Sequence, residues 1–338
     1  MIDVVIATYN RFEKARSLAV NLISAGGDML NNVIIVDSTD NQIVDNVKSE
    51  RLIHFFTDHK NQPYQRYLGY TLSDAENILF LDDDMELVDD NLFTDLHEIF
   101  EKPNVSAVNI AFKNVNTFLS NQPKGLVKNE GKLKKLVGLL TGYPIPKSNQ
   151  YSFCGIRGRR ISGIPINFLS GGAFAVKREN VYDNFNMQLF DLYEQKLGKG
   201  EDGILGYTIS LNGLIEAPAK LYFVHNDYLD SSYAIDYTDF GKRVMYSRLY
   251  LACEYYRLNK KHCIRGYFRF HHYAIGRISG ALLNYIVNPS AIQKEIIGGY
   301  IRGWILGMKF IFVSELDNNE KWEAYGDLEL RNGRQKSV

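Results

Sequence analysis

Ile78-Leu-Phe-Leu-Asp82-Asp83-Asp84 is an apolar run of strand length that breaks into three consecutive carboxylates, with Met85 and Glu86 behind them. Four large apolar residues in a row suit a strand buried on both faces, as in a parallel sheet covered by helices. Three adjacent acids repel one another unless something positive sits among them. A bound Mg²⁺ or Mn²⁺ meets that need, because such ions take one or two protein carboxylates and complete their shell with water and substrate phosphates. The implied partner is then a phosphorylated substrate. The plainer reading is a solvated acidic loop ahead of a helix beginning near Asp89-Asp90-Asn91, since acids favour helix starts.

What stands upstream favours the first reading. Asp3-Val-Val-Ile-Ala7 runs into Thr8-Tyr9-Asn10-Arg11, Val33-Ile-Ile-Val36 into Asp37-Ser38-Thr39-Asp40, and Leu52-Ile-His-Phe-Phe-Thr57 into a polar loop. Helix-like stretches, Phe12 to Ser24 and Pro63 to Ala75, lie between them, and this alternation predicts an α/β fold with a parallel sheet. In open sheets of this kind the ligand lies outside the carboxyl ends of the strands. Thr8, Asp37 and Asp82 are therefore expected in one crevice.

With these pieces in order, the chain resembles the family-2 glycosyltransferases, inverting nucleotide-sugar enzymes of the GT-A fold. The resemblance rests on Ile6-Ala-Thr-Tyr-Asn-Arg11, Val36-Asp37, Arg66, Asp82-Asp83-Asp84, Ser170-Gly-Gly-Ala-Phe-Ala-Val-Lys-Arg-Glu179 and Gly200-Glu201-Asp202, and covers roughly residues 1–230. It implies a Rossmann-like, mostly parallel mixed sheet flanked by helices. It also implies that Ala7, Thr8 and Tyr9 line the base pocket, that Arg11, Asp37, Arg66 and Asp82 belong to the nucleotide-sugar site, that Asp83 reaches the ribose, and that Asp84 holds a Mn²⁺ or Mg²⁺ bridging the diphosphate. Asp202, at what reads as a helix start, is the implied general base, and Glu201 is expected to orient acceptor hydroxyls; acids at a first turn also have the plain explanation of the helix dipole. His225, after the strand-like Lys220-Leu-Tyr-Phe-Val224, stands where relatives sometimes place a metal-binding histidine, with Asp227 two residues on.

Three departures stand out. Ser38 replaces the second acid that many relatives place after the position of Asp37, so the expected uridine lacks one hydrogen-bond acceptor. Ala7 stands where proline is usual, and Tyr67 where asparagine often follows the arginine. None removes a group that sugar transfer needs.

The chain has 338 residues, 45% of them apolar, enough for a large core. Cys154, Cys253 and Cys263 are scattered and lack metal spacing, which points to a reducing compartment, and Met1 leads straight into a strand, so no signal peptide is expected. The net charge of zero conceals two basic stretches: Lys and Arg outnumber Asp and Glu by 12 to 1 over residues 113–178 and by 12 to 2 over 242–309. The first, carrying Lys124, Lys128, Lys132, Lys134, Lys135, Lys147, Arg157, Arg159 and Arg160, reads as a basic insertion over about 113–165 that meets an anionic acceptor or a membrane, or is simply solvated. No nucleic-acid motif accompanies the charge.

From about Phe240 the chain turns to long helical stretches. Ile296, Ile297, Tyr300, Ile301, Trp304, Ile305, Met308 and Phe312 recur at helical spacing, and Gly299, Gly303 and Gly307 form a small stripe suited to close helix approach. Arg302 and Lys309 interrupt any spanning run, so this stripe is expected either to dip into a membrane surface or to pack on the catalytic domain. His271-His272, without nearby thiols or acids, read as interfacial residues.

The resulting expectation is a GT-A catalytic domain over 1–238 and a helical, amphipathic region over 239–338. Its activity would be metal-assisted transfer from a nucleotide sugar, UDP-linked, to a glycan or lipid-linked acceptor of cell-surface polysaccharide, at the cytoplasmic face of a membrane. No nucleic-acid partner is expected, and the oligomeric state is left open. Rival readings are a nucleotidyltransferase, disfavoured because Thr8-Tyr9-Asn10-Arg11 is no glycine-rich phosphate loop, and an inactive GT-A scaffold, disfavoured by intact Asp84 and Asp202.

Overall fold

The computed structural model describes residues 1–40, 50–114, 138–181, 184–225 and 236–308. The chain opens with β1 (Ile2–Thr8), buried throughout, then α1 (Phe12–Gly26), β2 (Leu30–Asp37), β3 (Leu52–Phe56), α2 (Gln62–Leu72) and β4 (Asn77–Asp82). β1 pairs in parallel with β2 and β4, and the register sets Thr8 against Asp37 and Ala7 against Asp82. The three polar strand ends thus share one edge of the sheet.

The helix expected to reach Ala75 stops at Leu72. Ser73 leaves helical geometry at ψ 140°, and its hydroxyl donates to the buried carboxylate of Asp3 at 2.7 Å, which anchors the turn beneath β1. At the other end Asn61 caps α2 by accepting from the Tyr64 amide, and Pro63 occupies the first turn, where its missing N–H costs nothing.

β5 (Met85–Leu87), α3 (Leu92–Phe100), β6 (Val105–Asn109), β7 (Ala111–Asn114) and β8 (Ala173–Lys177) follow. Then come α4 (Met187–Glu194), α5 (Glu201–Ser210), β9 (Leu214–Glu216) and β10 (Tyr222–His225). The main sheet has seven strands in the order β3-β2-β1-β4-β8-β6-β9, and β8 runs antiparallel to both neighbours. That reversal brings Gly171 and Gly172, which lead into β8, beside the carboxyl end of β4: the Asp82 amide donates to the Gly172 carbonyl at 3.0 Å. A second sheet, β5-β10-β7, pairs His225 with Met85 and so lays the end of β10 beside the acidic turn.

Alternate residues of the central strands face two cores. Val5, Ile34, Val36, Ile78 and Phe80 pack with the side chains of α2, α4 and α5, whereas Val4, Ile6, Ile35, Leu79 and Leu81 pack with those of α1 and α3. Both faces are covered, which explains the unbroken apolar runs that alternation alone would not produce.

The described residues after β10 form α6 (Tyr237–Leu258), α7 (Cys263–Val287) and α8 (Ala291–Met308). The glycine stripe of α8 meets α6: a Cβ on Gly299 would lie 2.2 Å from the Thr238 carbonyl oxygen, and one on Gly303 2.4 Å from that of Lys242. The apolar positions of α8 divide between two environments. Ile297 and Tyr300 are buried, and Trp304 packs against the cluster that holds Tyr300 and donates from Nε1 to His271 Nδ1 at 2.7 Å; Ile301, Ile305 and Met308 are exposed. Trp304 thus packs within the protein, one of the two placements expected for the stripe, while Lys309 and Phe312 lie outside the described residues. No described helix is long and apolar enough to cross a membrane.

Candidate active site

The acidic turn after β4 is held by arginines. Arg11 Nη2 lies 2.5 Å from Asp83 Oδ1 and Nη1 3.4 Å from Asp84 Oδ2, while the Thr8 hydroxyl donates to Asp83 Oδ2 at 2.6 Å. Asp82 Oδ1 accepts from Gln62 Nε2 and Arg66 Nη2, both at 2.7 Å. The groups set among the three acids are thus the guanidiniums of Arg11 and Arg66 and the imidazole of His225, whose Nε2 stands 3.4 Å from Asp84 Oδ1.

The three carboxylates differ in acidity. Burial pushes Asp82 up to about 7, with Arg66 opposing and Asp84 and Asp83 adding repulsion. Burial likewise pushes Asp83 up to about 6, against the Thr8 hydrogen bond and Arg11. At Asp84 burial also works upward, but His225 and Arg11 outweigh it and hold the carboxyl below its ordinary range.

That makes Asp84 the acid best prepared to ligate a cation. Its Oδ1 is buried and faces His225 Nε2 at 3.4 Å. Among the described residues no group of three or more His, Cys, Asp or Glu could hold a metal. Asp84 and His225 would thus be the protein's share of a site completed by phosphate oxygens and water, which fits Mg²⁺ or Mn²⁺. Asp227 lies outside the described residues.

Arg66 links this turn to the other half of the site. It is almost wholly buried, at 3% exposure, and besides Asp82 it donates to the Gly171 carbonyl at 2.6 Å and to Glu201 Oε1 at 3.0 Å. Glu201 Oε2 is in turn taken by the Tyr193 hydroxyl. Both oxygens of Glu201 are therefore engaged, Oε1 by Arg66 and Oε2 by Tyr193, while Arg66 Nε is buried without a hydrogen-bond partner.

Asp202, next along α5, is buried at 6% exposure. Arg157 Nη2 donates to its Oδ1 at 2.7 Å, as does the Gly203 amide. Its Oδ2 makes neither bond and faces Gly171, where a Cβ would approach to 3.1 Å. Gly200 precedes the helix at φ 89°, a conformation glycine adopts without the Cβ penalty, and this turn sets Glu201 and Asp202 into the site from the start of α5.

At the ends of β1 and β2, Asp37 Oδ1 accepts from the Thr39 hydroxyl and amide at 2.6 and 2.9 Å, and His54 Nε2 lies 3.4 Å from its Oδ2. Burial favours the neutral acid, yet His54 and Thr39 prevail and hold Asp37 below the usual carboxylate range. Gln65 Nε2 bridges the Thr8 and Val36 carbonyls, each at 2.8 Å, and so ties the two strand ends together. Ala7 is buried at the end of β1, beside Asp82 in register. The Tyr9 ring lies 5.1 Å from Lys60 Nζ, which also pairs with Asp40 at 2.7 Å.

The structure therefore brings every residue expected at the site to one end of the main sheet. Gln62, Gln65, Arg157 and Tyr193 were not anticipated as members. Gln62 and Gln65 share the first turns of α2 with Arg66, a spacing that could have exposed them; Arg157 and Tyr193 carry no comparable signal.

In structure the chain is similar to Staphylococcus aureus TarS, a fragment of which is 18% identical with a TM-score of 0.48 over 89% of this chain and 80% of that one. It is also similar to the mannosyltransferase PcManGT from Pyrobaculum calidifontis, solved with GDP-Man and Mn²⁺, at 12% identity and a TM-score of 0.46 over 90% of this chain and 86% of that one. No curated protein matches in sequence. The family model for glycosyl transferase family 2 matches residues 3–185, more than half of the chain, and ends beyond the glycine pair that feeds β8. A sheet with one reversed strand, an acid triplet at its carboxyl edge and this match together make the protein a GT-A transferase belonging to glycosyl transferase family 2.

Proposed function

We propose that the protein moves a sugar, with inversion at the anomeric carbon, from a nucleoside diphosphate sugar, UDP-linked, to a hydroxyl of a glycan or lipid-linked acceptor. One observation carries the reading: Arg66 joins the acid triplet to the Glu201-Asp202 turn, so carboxylates suited to a metal diphosphate and a carboxylate suited to proton transfer lie in one site. Thr8, Tyr9, Asp37 and Asp83 border the donor side; Arg157 and Asp202 border the acceptor side.

A Mn²⁺ or Mg²⁺ bound at Asp84 and His225 would supply charge neutralisation on the departing diphosphate. Arg11, between Asp83 and Asp84, is placed to add a second positive charge there. Asp202 keeps Oδ2 for the acceptor hydroxyl while Arg157 and the Gly203 amide fix Oδ1. As the acceptor oxygen bonds to the anomeric carbon from the face opposite the diphosphate, its proton passes to Asp202. The carbon–oxygen bond to the diphosphate breaks, and the electron pair leaves with that group.

The membrane face of this proposal draws on α7 and α8. Ile264, Phe268, Ile275, Leu283 and Ile286 of α7 and Ile301 and Ile305 of α8 are exposed, with Arg265, Arg269 and Arg302 on the same helices. Apolar groups dipping beneath anionic headgroups that meet these arginines would hold the enzyme peripherally at the cytoplasmic surface.

The test is thermal stabilisation by a panel of nucleotide sugars with and without Mn²⁺, followed by donor hydrolysis with the best ligand. Asp84→Asn should keep the fold, lose the Mn²⁺-dependent part of the stabilisation and lose hydrolysis. Full activity in chelator, or in this variant, would overturn the metal-assisted mechanism.

A further inference from the structure

A cavity of about 270 Å³ opens beside Asp202, walled by Gln62, Arg157, Lys199, Asp202, Ser247 and Arg248 among others. Gln62 bonds Asp82 and Arg157 bonds Asp202, so whatever fills this space touches both the donor side and the proposed base. On the function proposed above, an acceptor would sit here.

The charges around it do not balance. The carboxylates on its wall are Glu201, committed to Arg66 and Tyr193, and Asp202, committed to Arg157. Lys199 and Arg248 are left, and among the described residues neither has a carboxylate within ion-pair distance. Lys199 Nζ sits 4.8 Å from the Phe240 ring. Arg248 gives Nη1 to the Cys154 carbonyl at 2.8 Å, while its Nε is buried without a hydrogen-bond partner. Although Lys199 is exposed as a whole, crowding around its ammonium lowers its pKa, through burial first and then through Arg248, Arg243 and Arg157, with only Asp202 opposing. Two cations held together without counter-ions weaken a fold unless a ligand supplies the missing charge.

We propose that this cavity is the subsite for an oxyanion carried by the acceptor, a phosphate or a carboxylate held by Lys199 and Arg248 while a neighbouring hydroxyl of the same molecule meets Asp202. This rests on the reading of Asp202 as general base. A lysine ammonium and an arginine fork together supply point charge and directed donors, which suits a group with several equivalent oxygens. The volume is that of a phosphorylated polyol or one acidic sugar rather than a polymer, so the polymer or lipid part of the acceptor would extend outward.

The experiment measures binding of glycerol 1-phosphate and of glucuronate to the full chain at constant ionic strength, with glycerol and glucose as uncharged counterparts. The expected result is binding of at least one anion but not of its uncharged counterpart. Lys199→Gln and Arg248→Gln should each weaken that anion by about 10- to 100-fold, the loss typical of a hydrogen bond to a charged group. Lys199→Arg should preserve it, and Lys260→Gln, on the exposed turn after α6, should leave it unchanged. Preference for glycerol 1-phosphate assigns the subsite to phosphate, and preference for glucuronate to carboxylate. Lys199→Gln should also melt no lower than the parent protein, since it removes repulsion; a lower melting temperature would mean that Lys199 serves the fold and would overturn the proposal. So would absence of binding by both anions, or binding undiminished in both glutamine variants. Failure of the glycosyl-transfer reading would appear separately, as lack of stabilisation by any nucleotide sugar.

Discussion

Replacing Arg66 by methionine isolates the link between the two halves of the site. The side chain is 3% exposed and its guanidinium satisfies Asp82, Glu201 and the Gly171 carbonyl at 2.7, 3.0 and 2.6 Å. Methionine matches the aliphatic stem but leaves two carboxylates and a carbonyl oxygen facing an apolar tip. Removing one partner from a buried ion pair costs about 3–5 kcal/mol. Against the roughly 5–15 kcal/mol by which folded domains are stable, the variant should fold at 25 °C but with a much lower urea midpoint and an unchanged m value. The loss should shrink toward acid pH, because Asp82, already pushed up to about 7, takes a proton and no longer needs the cation. Glu201→Gln made in the Arg66→Met background should cost less than in the parent chain, a coupling of about 0.5–3 kcal/mol for groups in contact. The measurements are urea unfolding of the four proteins near pH 6 and pH 8 and nucleotide-sugar binding by each. If Arg66→Met stays within about 1 kcal/mol of the parent protein yet loses donor binding, Arg66 is a ligand of the nucleotide and the account of it as an internal brace fails.

Three further outcomes are expected. Asp202→Asn should keep donor affinity and lose about 10²–10⁴ in kcat, the usual worth of a general base, and a collapse of donor binding alongside turnover would reassign Asp202 to structure. In chelator the parent protein should lose stability as pH rises from about 4 to about 7: Asp82 and Asp83 are raised to about 7 and about 6, so the fold holds protons that the unfolded chain has released, and Asp82→Asn should flatten that slope in pH-dependent urea unfolding. Asp37 and Asp84, being lowered, contribute their changes only at more acidic pH. Binding to anionic vesicles should weaken but persist in high salt, where the Debye length falls to about 3 Å, and should vanish when Leu283, Ile286, Ile301 and Ile305, exposed by 65, 74, 38 and 47%, are changed together to serine; sedimentation with vesicles at two salt concentrations decides it.

The carboxyl edge of the sheet was legible because β1, β2 and β4 each end an apolar run on a polar residue, and two covered faces force such runs. The partners of Arg66 were not, since Glu201 lies 135 residues away and only the reversed strand β8 and the turn before α5 bring it near. Arg157 looked like one charge among many in a basic stretch; that it reaches Asp202 depends on loop geometry, which has no period to read. On α8 periodicity marked apolar positions but not which of two apolar sides would be packed. The glycines decided that: a face lacking side chains can meet the backbone of α6, and Ile301 and Ile305 are thereby turned outward.

The reversed strand also orders assembly during synthesis. β3-β2-β1-β4 can pair once the chain reaches Asp82, but β4 has no neighbour on its other side until β8, whose last residue is Lys177, has emerged. At the usual 5–20 residues per second the nascent chain spends roughly 5–20 s with an apolar strand edge open, the condition in which edges invite pairing with other chains. Arg66 waits longer, since Glu201 is translated after β8. A stalled or truncated product ending before residue 173 would carry both hazards, an open edge and an arginine whose second carboxylate does not yet exist, and is the form of this protein most exposed to aggregation and most in need of a chaperone.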